Sequence, residues 1–255
     1  MKNQYVGDIG DYGKYGLLRY LAGRGIRIGV NWYLTEDDGS EDGKFTDYLK
    51  DGSEYREYDP ILFDQLKQIV SKGKGSKRVQ DIKENCIIPN TVFFDEMLVT
   101  TIKSPKERKS IREGWHNRAK ETLDNNCDLI FADPDNGTIK YGRSTSVKNG
   151  EKYAVVEELQ DYYEAGKDIV YYCHKERRSE LKWNEKKSEF HNACPDAKII
   201  VLTFHRGTQR SYIFAIHPER YDEYNNMINE FLETKWGIYL TKGKRIPPFE
   251  RELTN

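Results

Sequence analysis

The sequence that decides the fold is the stretch Cys127-Asp128-Leu129-Ile130-Phe131-Ala132-Asp133-Pro134-Asp135-Asn136-Gly137. Its apolar part, Leu129 to Ala132, shows no alternation with polar residues, which predicts a strand buried on both faces of a parallel sheet. The proline and the glycine that follow end regular structure at once. Because α/β sheets bind ligands beyond the carboxyl ends of their strands, we expect a functional site here. An Asx-rich turn that only closes the strand is the alternative. The candidate catalytic residues are Asp133, Pro134, Asp135 and Asn136.

Five more segments with strand-like composition flank this stretch, and helical patterns separate most of them. Alternating strands and helices predict an α/β fold with a doubly wound, mostly parallel sheet. The short turn between the last two segments predicts a terminal antiparallel hairpin. We expect a single domain over residues 1–255, with a helical insertion at about 45–88 and an irregular tail after Gly243. The predicted strands are 26–34, 91–99, 127–132, 168–173 and 198–204, with 211–216 as the antiparallel strand.

Composition is typical of a globular protein. The chain has 255 residues, of which 37% are hydrophobic and 33% are charged, and its net charge is −1. The apolar runs are far shorter than the roughly 20 residues that span a bilayer, and the N-terminus lacks the apolar core of a secretory signal. We therefore expect a cytoplasmic protein with no membrane partner. The four cysteines form no C-x-x-C pair, so no zinc ribbon or redox motif is indicated.

Two polar runs are candidate cofactor-binding loops. The glycine-rich run from Gly7 to Lys14 lets the backbone approach a ligand closely. The acidic run from Thr35 to Lys44 follows the first predicted strand, the usual cofactor position in doubly wound folds, although it lacks the spacing G-x-G-x-x-G. Its carboxylates can accept hydrogen bonds from ribose hydroxyls or an ammonium group, or hold a divalent cation. A plain solvated loop is the alternative for each run. The candidate cofactor-binding residues are Gly7, Asp8, Asp11, Lys14, Glu36 and Asp37.

Lysine and arginine are concentrated in the segments 72–83, 103–120 and 175–187. Such clusters are either solvated helix faces or a local rim that binds phosphates. Cations also follow the predicted strand 168–173 and lie in the hairpin turn, at the sheet end where the acidic stretch lies. We expect RNA or DNA as the partner, with binding that weakens steeply with salt. The candidate substrate-binding residues are His174, Arg177, Arg206 and Arg210.

A mostly parallel sheet with a terminal antiparallel hairpin resembles the class I S-adenosylmethionine-dependent methyltransferases, a Rossmann-like fold. Within that class, Asp133-Pro134-Asp135-Asn136 resembles the D-P-P-Y motif of methylases that act on adenine N6. The layout is similar to that of the large-subunit ribosomal RNA adenine-N6 methyltransferase J family, including a polar glycine-containing start and a helical insertion after the first strand. The resemblance implies S-adenosylmethionine as cofactor and the exocyclic amine of a base as substrate, with Asp133 and the Pro134 carbonyl holding the amine.

The chain departs from that motif at two positions, where Asp135 and Asn136 replace a proline and the aromatic residue that stacks on the base. Two other classes of function therefore stay open. One is a hydrolase or nuclease that depends on Mg²⁺ or Mn²⁺. Its ligands would come from Asp8, Asp11, Asp95, Asp133, Asp135 and His174. The other is a nucleic-acid-binding protein without catalytic activity. The methyltransferase interpretation itself assigns no metal ligands.

Overall fold

The computed structural model describes residues 1–73, 75–100, 104–124, 126–140, 149–174, 179–238 and 246–252. Its strands are β1 Ile28–Asn31, β2 Thr91–Phe94, β3 Leu129–Ala132, β4 Thr138–Ile139, β5 Ala154–Val155, β6 Asp168–Cys173, β7 Lys198–Phe204, β8 Arg210–Ile216 and β9 Phe249–Glu252. Its helices are α1 Ile9–Gly23, α2 Pro60–Ser71, α3 Val79–Glu84, α4 Pro105–Leu123, α5 Val156–Glu164, α6 Glu180–Lys187, α7 Glu189–Ala193 and α8 Tyr221–Glu233.

Seven of the strands form one mixed sheet in the order β2-β1-β3-β6-β8-β7-β9. The pairs β1–β2, β1–β3 and β3–β6 are parallel, whereas β8 is antiparallel to both β6 and β7. Five strands therefore point the same way, with β8 and β9 reversed. The predicted mostly parallel sheet and its antiparallel hairpin are confirmed, and β3 lies between two parallel neighbours as a buried apolar strand requires.

Two predicted strands end earlier than expected: the strand predicted at 26–34 ends at Asn31, and the strand predicted at 91–99 ends at Phe94. The first is shortened because Tyr33 has a φ of 43°, which breaks the extended backbone. Two strand pairings were not predicted. The tail after Gly243 was expected to be irregular, and this expectation is wrong, because β9 pairs antiparallel with β7. A two-residue parallel bridge between β4 and β5 also forms beside the main sheet.

The glycine-rich start of the chain is mostly helix rather than loop. Helix α1 begins at Ile9. The Asp8 carboxylate caps it by accepting hydrogen bonds from the backbone amides of Gly10 and Asp11. Three glycines lie within the helix at a spacing of three residues. A Cβ atom on them would come within 2.7 Å or less of the Arg210, Phe204 and Trp236 side chains, respectively, so glycine lets α1 pack closely. These glycines are Gly10, Gly13 and Gly16.

Helices cover both faces of the sheet, each over its own apolar core. Helices α1, α2, α3 and α8 pack on one face, whereas α4, α5, α6 and α7 pack on the other. Helix α4 begins with the predicted capping box, in which Ser104 and Glu107 satisfy each other's backbone amides. The predicted insertion supplies α2 and α3, whose apolar residues join the first core. No helix in the described ranges is long and apolar enough to cross a membrane.

Candidate functional site

A cavity of about 250 Å³ opens at the carboxyl ends of β3 and β6. The N-terminal segment, the first turns of α1, the residues after β3 and β6, and the hairpin end of β8 form its wall. Segments that the sequence marked separately as catalytic, cofactor-binding and substrate-binding therefore meet in one place. The candidate residues that line the cavity are Asp8, Asp11, Lys14, Asp133, Pro134, Asp135, His174 and Arg210.

The centre of the wall is an ion cluster that we call the Lys14 cluster, made of Lys14, Asp11 and Asp133. The Lys14 Nζ lies 2.8 Å from Asp11 Oδ1 and 2.7 Å from Asp133 Oδ2, and all three side chains are at least nine-tenths buried. Lys14 and Asp11 are one helical turn apart on α1, whereas Asp133 directly follows β3. The cluster therefore ties the first helix to the interior strand β3 of the sheet.

The two carboxylates of this cluster share one ammonium group, and their ionisation reflects this. Burial raises the pKa of Asp133 above its ordinary value, and the nearby Lys14 ammonium offsets only part of the effect. Burial raises the pKa of Asp11 in the same way, with the Asp8 carboxylate adding to it. For Lys14, burial would lower the pKa, but the two adjacent carboxylates raise it above the ordinary value. The lysine therefore stays charged at neutral pH.

A second ion pair crosses the cavity wall between α1 and β8. The Arg210 Nη2 lies 3.1 Å from Asp8 Oδ2, while the other oxygen of Asp8 caps α1. Burial would lower the pKa of the Arg210 guanidinium, but the Asp8 carboxylate raises it above the ordinary value. The close approach depends on Gly10, because a Cβ there would lie 1.9 Å from the guanidinium carbon of Arg210. The hairpin is thus joined to the start of α1 directly at the site.

Asp135 is a buried carboxylate of the cavity wall that is held by charge more than by hydrogen bonds. Its side chain is 6% exposed, and neither oxygen receives a hydrogen bond from the described residues. The Met1 amine lies 2.7 Å from Oδ1, but this amine donates its hydrogen bonds to the backbone carbonyls of Tyr33 and Asp133. Lys2 is farther away, with its Nζ 3.8 Å from Oδ2. The Met1 ammonium balances the charge of Asp135, and the Asp135 Oδ2 can still accept a hydrogen bond from a ligand.

The loop that carries Asp133 and Asp135 is held from behind by the segment 149–155. The Asn136 amide donates to the Lys152 carbonyl over 2.9 Å, and the Ala154 amide donates to the Gly137 carbonyl over 3.0 Å. Asn136 itself does not line the cavity. Gly137 has a φ of 82°, a conformation that favours glycine, and a Cβ there would lie 2.9 Å from Cys173 Sγ. The turn after β3 therefore has a fixed course.

The remaining candidate residues lie away from this cavity or outside the described residues. Gly7 is beside it, with its amide donating to Asp11 Oδ2 over 3.3 Å. Glu36 is exposed, whereas Asp37 lines a second cavity of about 390 Å³, separated from the first by Asp42 and Gly43, which line both. Arg206 donates to the backbone carbonyls of 205, 246 and 247 and does not line the cavity, contrary to expectation. Arg177 lies outside the described residues.

Aromatic residues of the wall were missed by the sequence interpretation. Tyr172 and Tyr212 come from β6 and β8 and are largely buried, and burial raises the pKa of each hydroxyl far above its ordinary value. Tyr5 is partly buried, with the Lys2 ammonium 5.2 Å from its ring centroid, whereas Phe45 is 51% exposed. The sequence interpretation included Tyr172 and Tyr212 in predicted strands and assigned them no role. Phe45 belongs to no motif that we recognised, and the nearest signal in the sequence is Gly43, two residues before it.

The carboxylates do not converge as metal ligands would. Among the described residues, no three histidine, cysteine or acidic side chains come close enough to hold one ion. Lysine and arginine cations lie between the acids instead, at Lys14 and Arg210. Asp95 is absent from the cavity wall because it follows the edge strand β2, which β1 separates from β3, and the neighbouring Glu96 pairs with Arg118 on the surface. The geometry therefore gives no support to the metal-dependent alternative.

No family model matches the chain, and no curated protein matches it. Among solved structures, the chain is similar to the crystal structure of protein LPL1258 from Legionella pneumophila str. Philadelphia 1, which carries the family model DUF519. The two chains are 11% identical, the match covers 98% of this chain and 96% of that chain, and the TM-score is 0.43.

Proposed function

We propose that this protein is a class I S-adenosylmethionine-dependent methyltransferase that modifies the exocyclic amine of a nucleic-acid base. One observation carries the proposal: Asp133, a buried carboxylate with a raised pKa, directly follows the interior strand β3 and lines a cavity at the carboxyl ends of β3 and β6. Perturbed carboxylates in clefts are typical of functional sites. The mostly parallel sheet, with the antiparallel hairpin of β7 and β8 beside β6, keeps the resemblance to this Rossmann-like class.

The residues of the site suit the chemistry of a base amine. An exocyclic amine is a hydrogen-bond donor, and the Asp133 carboxylate and the Pro134 carbonyl can accept from it as the acid and carbonyl of the D-P-P-Y motif do. Asp135 adds two buried oxygens that receive no hydrogen bond from the described residues. A raised pKa also suits Asp133 to take the proton that the amine nitrogen loses on methylation.

The wall also fits S-adenosylmethionine, whose methionine end carries an ammonium, a carboxylate and a sulfonium. Asp8 and Asp11 would hold the cationic groups, and Arg210 or Lys14 would hold the carboxylate. The first cavity alone is small, but with the adjoining one it falls within the roughly 300–1,000 Å³ of small-molecule sites. Asp37 and Asp42 in the second cavity could accept from ribose hydroxyls. When bound, the cofactor would supply a methyl group from its sulfonium to the amine nitrogen.

Calorimetric titration with S-adenosylmethionine and S-adenosylhomocysteine tests the cofactor, and transfer of labelled methyl from S-adenosylmethionine to RNA and DNA pools tests the reaction. We expect binding of both compounds and label in nucleic acid. Binding of neither compound contradicts the proposal. A titration with Mn²⁺ is the matched arm for the hydrolase alternative, because the arrangement of cations among the acids predicts no heat from Mn²⁺. Nucleic-acid binding without methyl transfer would instead favour the non-catalytic alternative.

A further inference from the structure

The tetrapeptide after β3 contains no aromatic side chain that could stack on a base, yet the cavity wall offers one elsewhere. Of the other aromatic residues that line the cavity, Tyr212 is buried in the sheet, Tyr172 is partly buried with its hydroxyl hydrogen-bonded to His174, and Tyr5 is partly buried beside the Lys2 ammonium. Phe45 is 51% exposed, and its ring contacts no other aromatic ring among the described residues. Among the described aromatic residues of this wall, Phe45 therefore offers a ligand the most exposed ring.

The backbone that carries Phe45 is anchored, so the exposed ring is not on a free loop. The Phe45 carbonyl accepts a hydrogen bond from the amide of Ile9, the first residue of α1, over 3.0 Å. Two residues earlier, Gly43 has a φ of 78°, and a Cβ there would lie 2.2 Å from the Gln4 carbonyl oxygen. The Lys77 ammonium donates to that same carbonyl over 3.1 Å. Single exposed apolar side chains are common, but this one is fixed against the end of α1 that bears Asp8 and Asp11.

The polar part of the wall complements a flat apolar face. Asp133 and Asp135 offer carboxylate oxygens, which accept hydrogen bonds and cannot donate them while ionised. A ring with an exocyclic amine supplies both a stacking surface and donors, whereas uracil or thymine presents carbonyl oxygens in the corresponding place. The cavity therefore suits the amino-bearing bases.

We propose that Phe45 stacks on the base whose exocyclic amine is held by Asp133, and so does the work that the missing motif aromatic does in D-P-P-Y enzymes. This inference rests on the proposed function and adds a residue that determines the substrate. Stacking on aromatic side chains is the usual way in which proteins hold an unpaired base.

The test uses 2-aminopurine, a fluorescent base with an exocyclic amine whose emission falls when it stacks. The probes are the free riboside and single-stranded RNA and DNA oligonucleotides with one central 2-aminopurine. We expect wild-type protein to quench the probe, Phe45→Tyr to retain quenching, and Phe45→Leu to weaken binding by roughly 5–150-fold. Leucine keeps the apolar character and removes the flat face. Leu181→Ala, at an exposed apolar residue remote from the cavity, is the matched control and should behave as wild type.

The outcomes separate this inference from the proposed function. Absence of quenching by wild-type protein, or equal quenching by wild type and Phe45→Leu, overturns the stacking role, even where S-adenosylhomocysteine binds. If quenching depends on Phe45 but the protein binds no S-adenosylhomocysteine, the result supports the base-binding site and contradicts the proposed methyltransferase function. The RNA and DNA arms show which nucleic acid supplies the base.

Discussion

Two buried ion clusters lie on opposite faces of the sheet, and they differ in how their carboxylates are paired with cations. In the Lys14 cluster, one ammonium serves two carboxylates. On the other face, Arg112 of α4 meets Glu158 of α5, with Nε 2.6 Å from Oε1 and Nη2 2.8 Å from Oε2. We call this the Arg112 cluster, which also includes Tyr33, whose hydroxyl donates to Glu158 over 3.1 Å.

The ionisation of the two clusters differs in direction. Burial would raise the pKa of Glu158, but its bidentate contact with Arg112 and the Val155 amide hold that pKa below its ordinary value. Burial raises the pKa of Asp133, and the shared Lys14 does not reverse it. Both carboxylates are buried and paired, so burial alone does not explain the difference. The neighbouring charges do: a guanidinium in bidentate contact lowers the pKa of Glu158, whereas Asp133 shares its ammonium with a second carboxylate, Asp11, which raises the pKa of Asp133 further.

The comparison separates a structural ion pair from a site that is prepared for a ligand. Two further Arg112 donors bind the Gly150 and Tyr153 carbonyls, so four of the five guanidinium N–H groups hold Glu158 and the segment behind the loop that follows β3. The Lys14 cluster instead faces a cavity whose wall includes Asp135, with two oxygens that the described residues leave without hydrogen bonds. Breaking each cluster should therefore have opposite consequences for stability and binding.

The largest effect on stability is expected from Arg112→Met. The substitution leaves the Glu158 carboxylate buried without its cation and frees two carbonyls, which should cost about 3–5 kcal/mol of unfolding free energy. For a protein of this size, the melting temperature should fall by roughly 6–20 °C. Thermal unfolding followed by circular dichroism measures it.

The matched control is Arg118→Gln, at a second arginine of α4, which breaks the ion pair of Arg118 with Glu96 in the segment after β2. Both side chains of that pair are about half exposed, so the change should stay below about 1 kcal/mol. An Arg112→Met variant that melts with the control would mean that the Arg112 cluster does not support the fold.

The largest effect on binding is expected from Asp133→Asn. Asparagine keeps the shape and removes a buried charge that costs free energy to ionise, so the melting temperature should stay within a few degrees of wild type or rise. Loss of the carboxylate should reduce methyl transfer by about 10²-fold or more. Thermal melting and methyl transfer on one preparation decide the matter, with Asp128→Asn, at a partly exposed aspartate before β3, as the control. A variant that melts much lower yet remains active would make Asp133 a turn residue.

The sequence predicted the parts of this comparison that depend on local pattern. The apolar run from Leu129 to Ala132 and the polar residues after it indicated a central strand with a site at its end, and the strand is observed there. Helix α4 followed from its capping box and apolar spacing. The sheet end where Asp8, Lys14 and Asp133 meet followed from the rule for α/β sheets.

The partners within each cluster could not be predicted, because they depend on contacts between distant segments. Lys14 and Asp133 are 119 positions apart, and Arg112 and Glu158 are 46 apart. The glycines of α1 indicated a loop, since glycine weakens isolated helices, but packing against Phe204 and Trp236 outweighs that preference. Strand β9 was missed because its sequence Phe-Glu-Arg-Glu has mostly charged residues, which an edge strand tolerates.

The smallest and most direct expectation concerns the order in which the carboxylates take up protons as the pH falls. Asp11 and Asp133 should titrate above the ordinary 3.8, and Glu158 below the ordinary 4.5. Between the unfolded and folded pKa values of Asp133, the folded state binds more protons, so acidification through that range favours folding at this position. For Glu158 the sign is reversed, because its stabilisation is present above the unfolded pKa and is lost as the pH falls through the folded pKa. Carboxyl carbon-13 NMR, with resonances assigned from Asp11→Asn, Asp133→Asn and Glu158→Gln, measures the three values. If the pKa of Glu158 is higher than that of Asp133, the proposed difference between the Arg112 cluster and the Lys14 cluster is wrong.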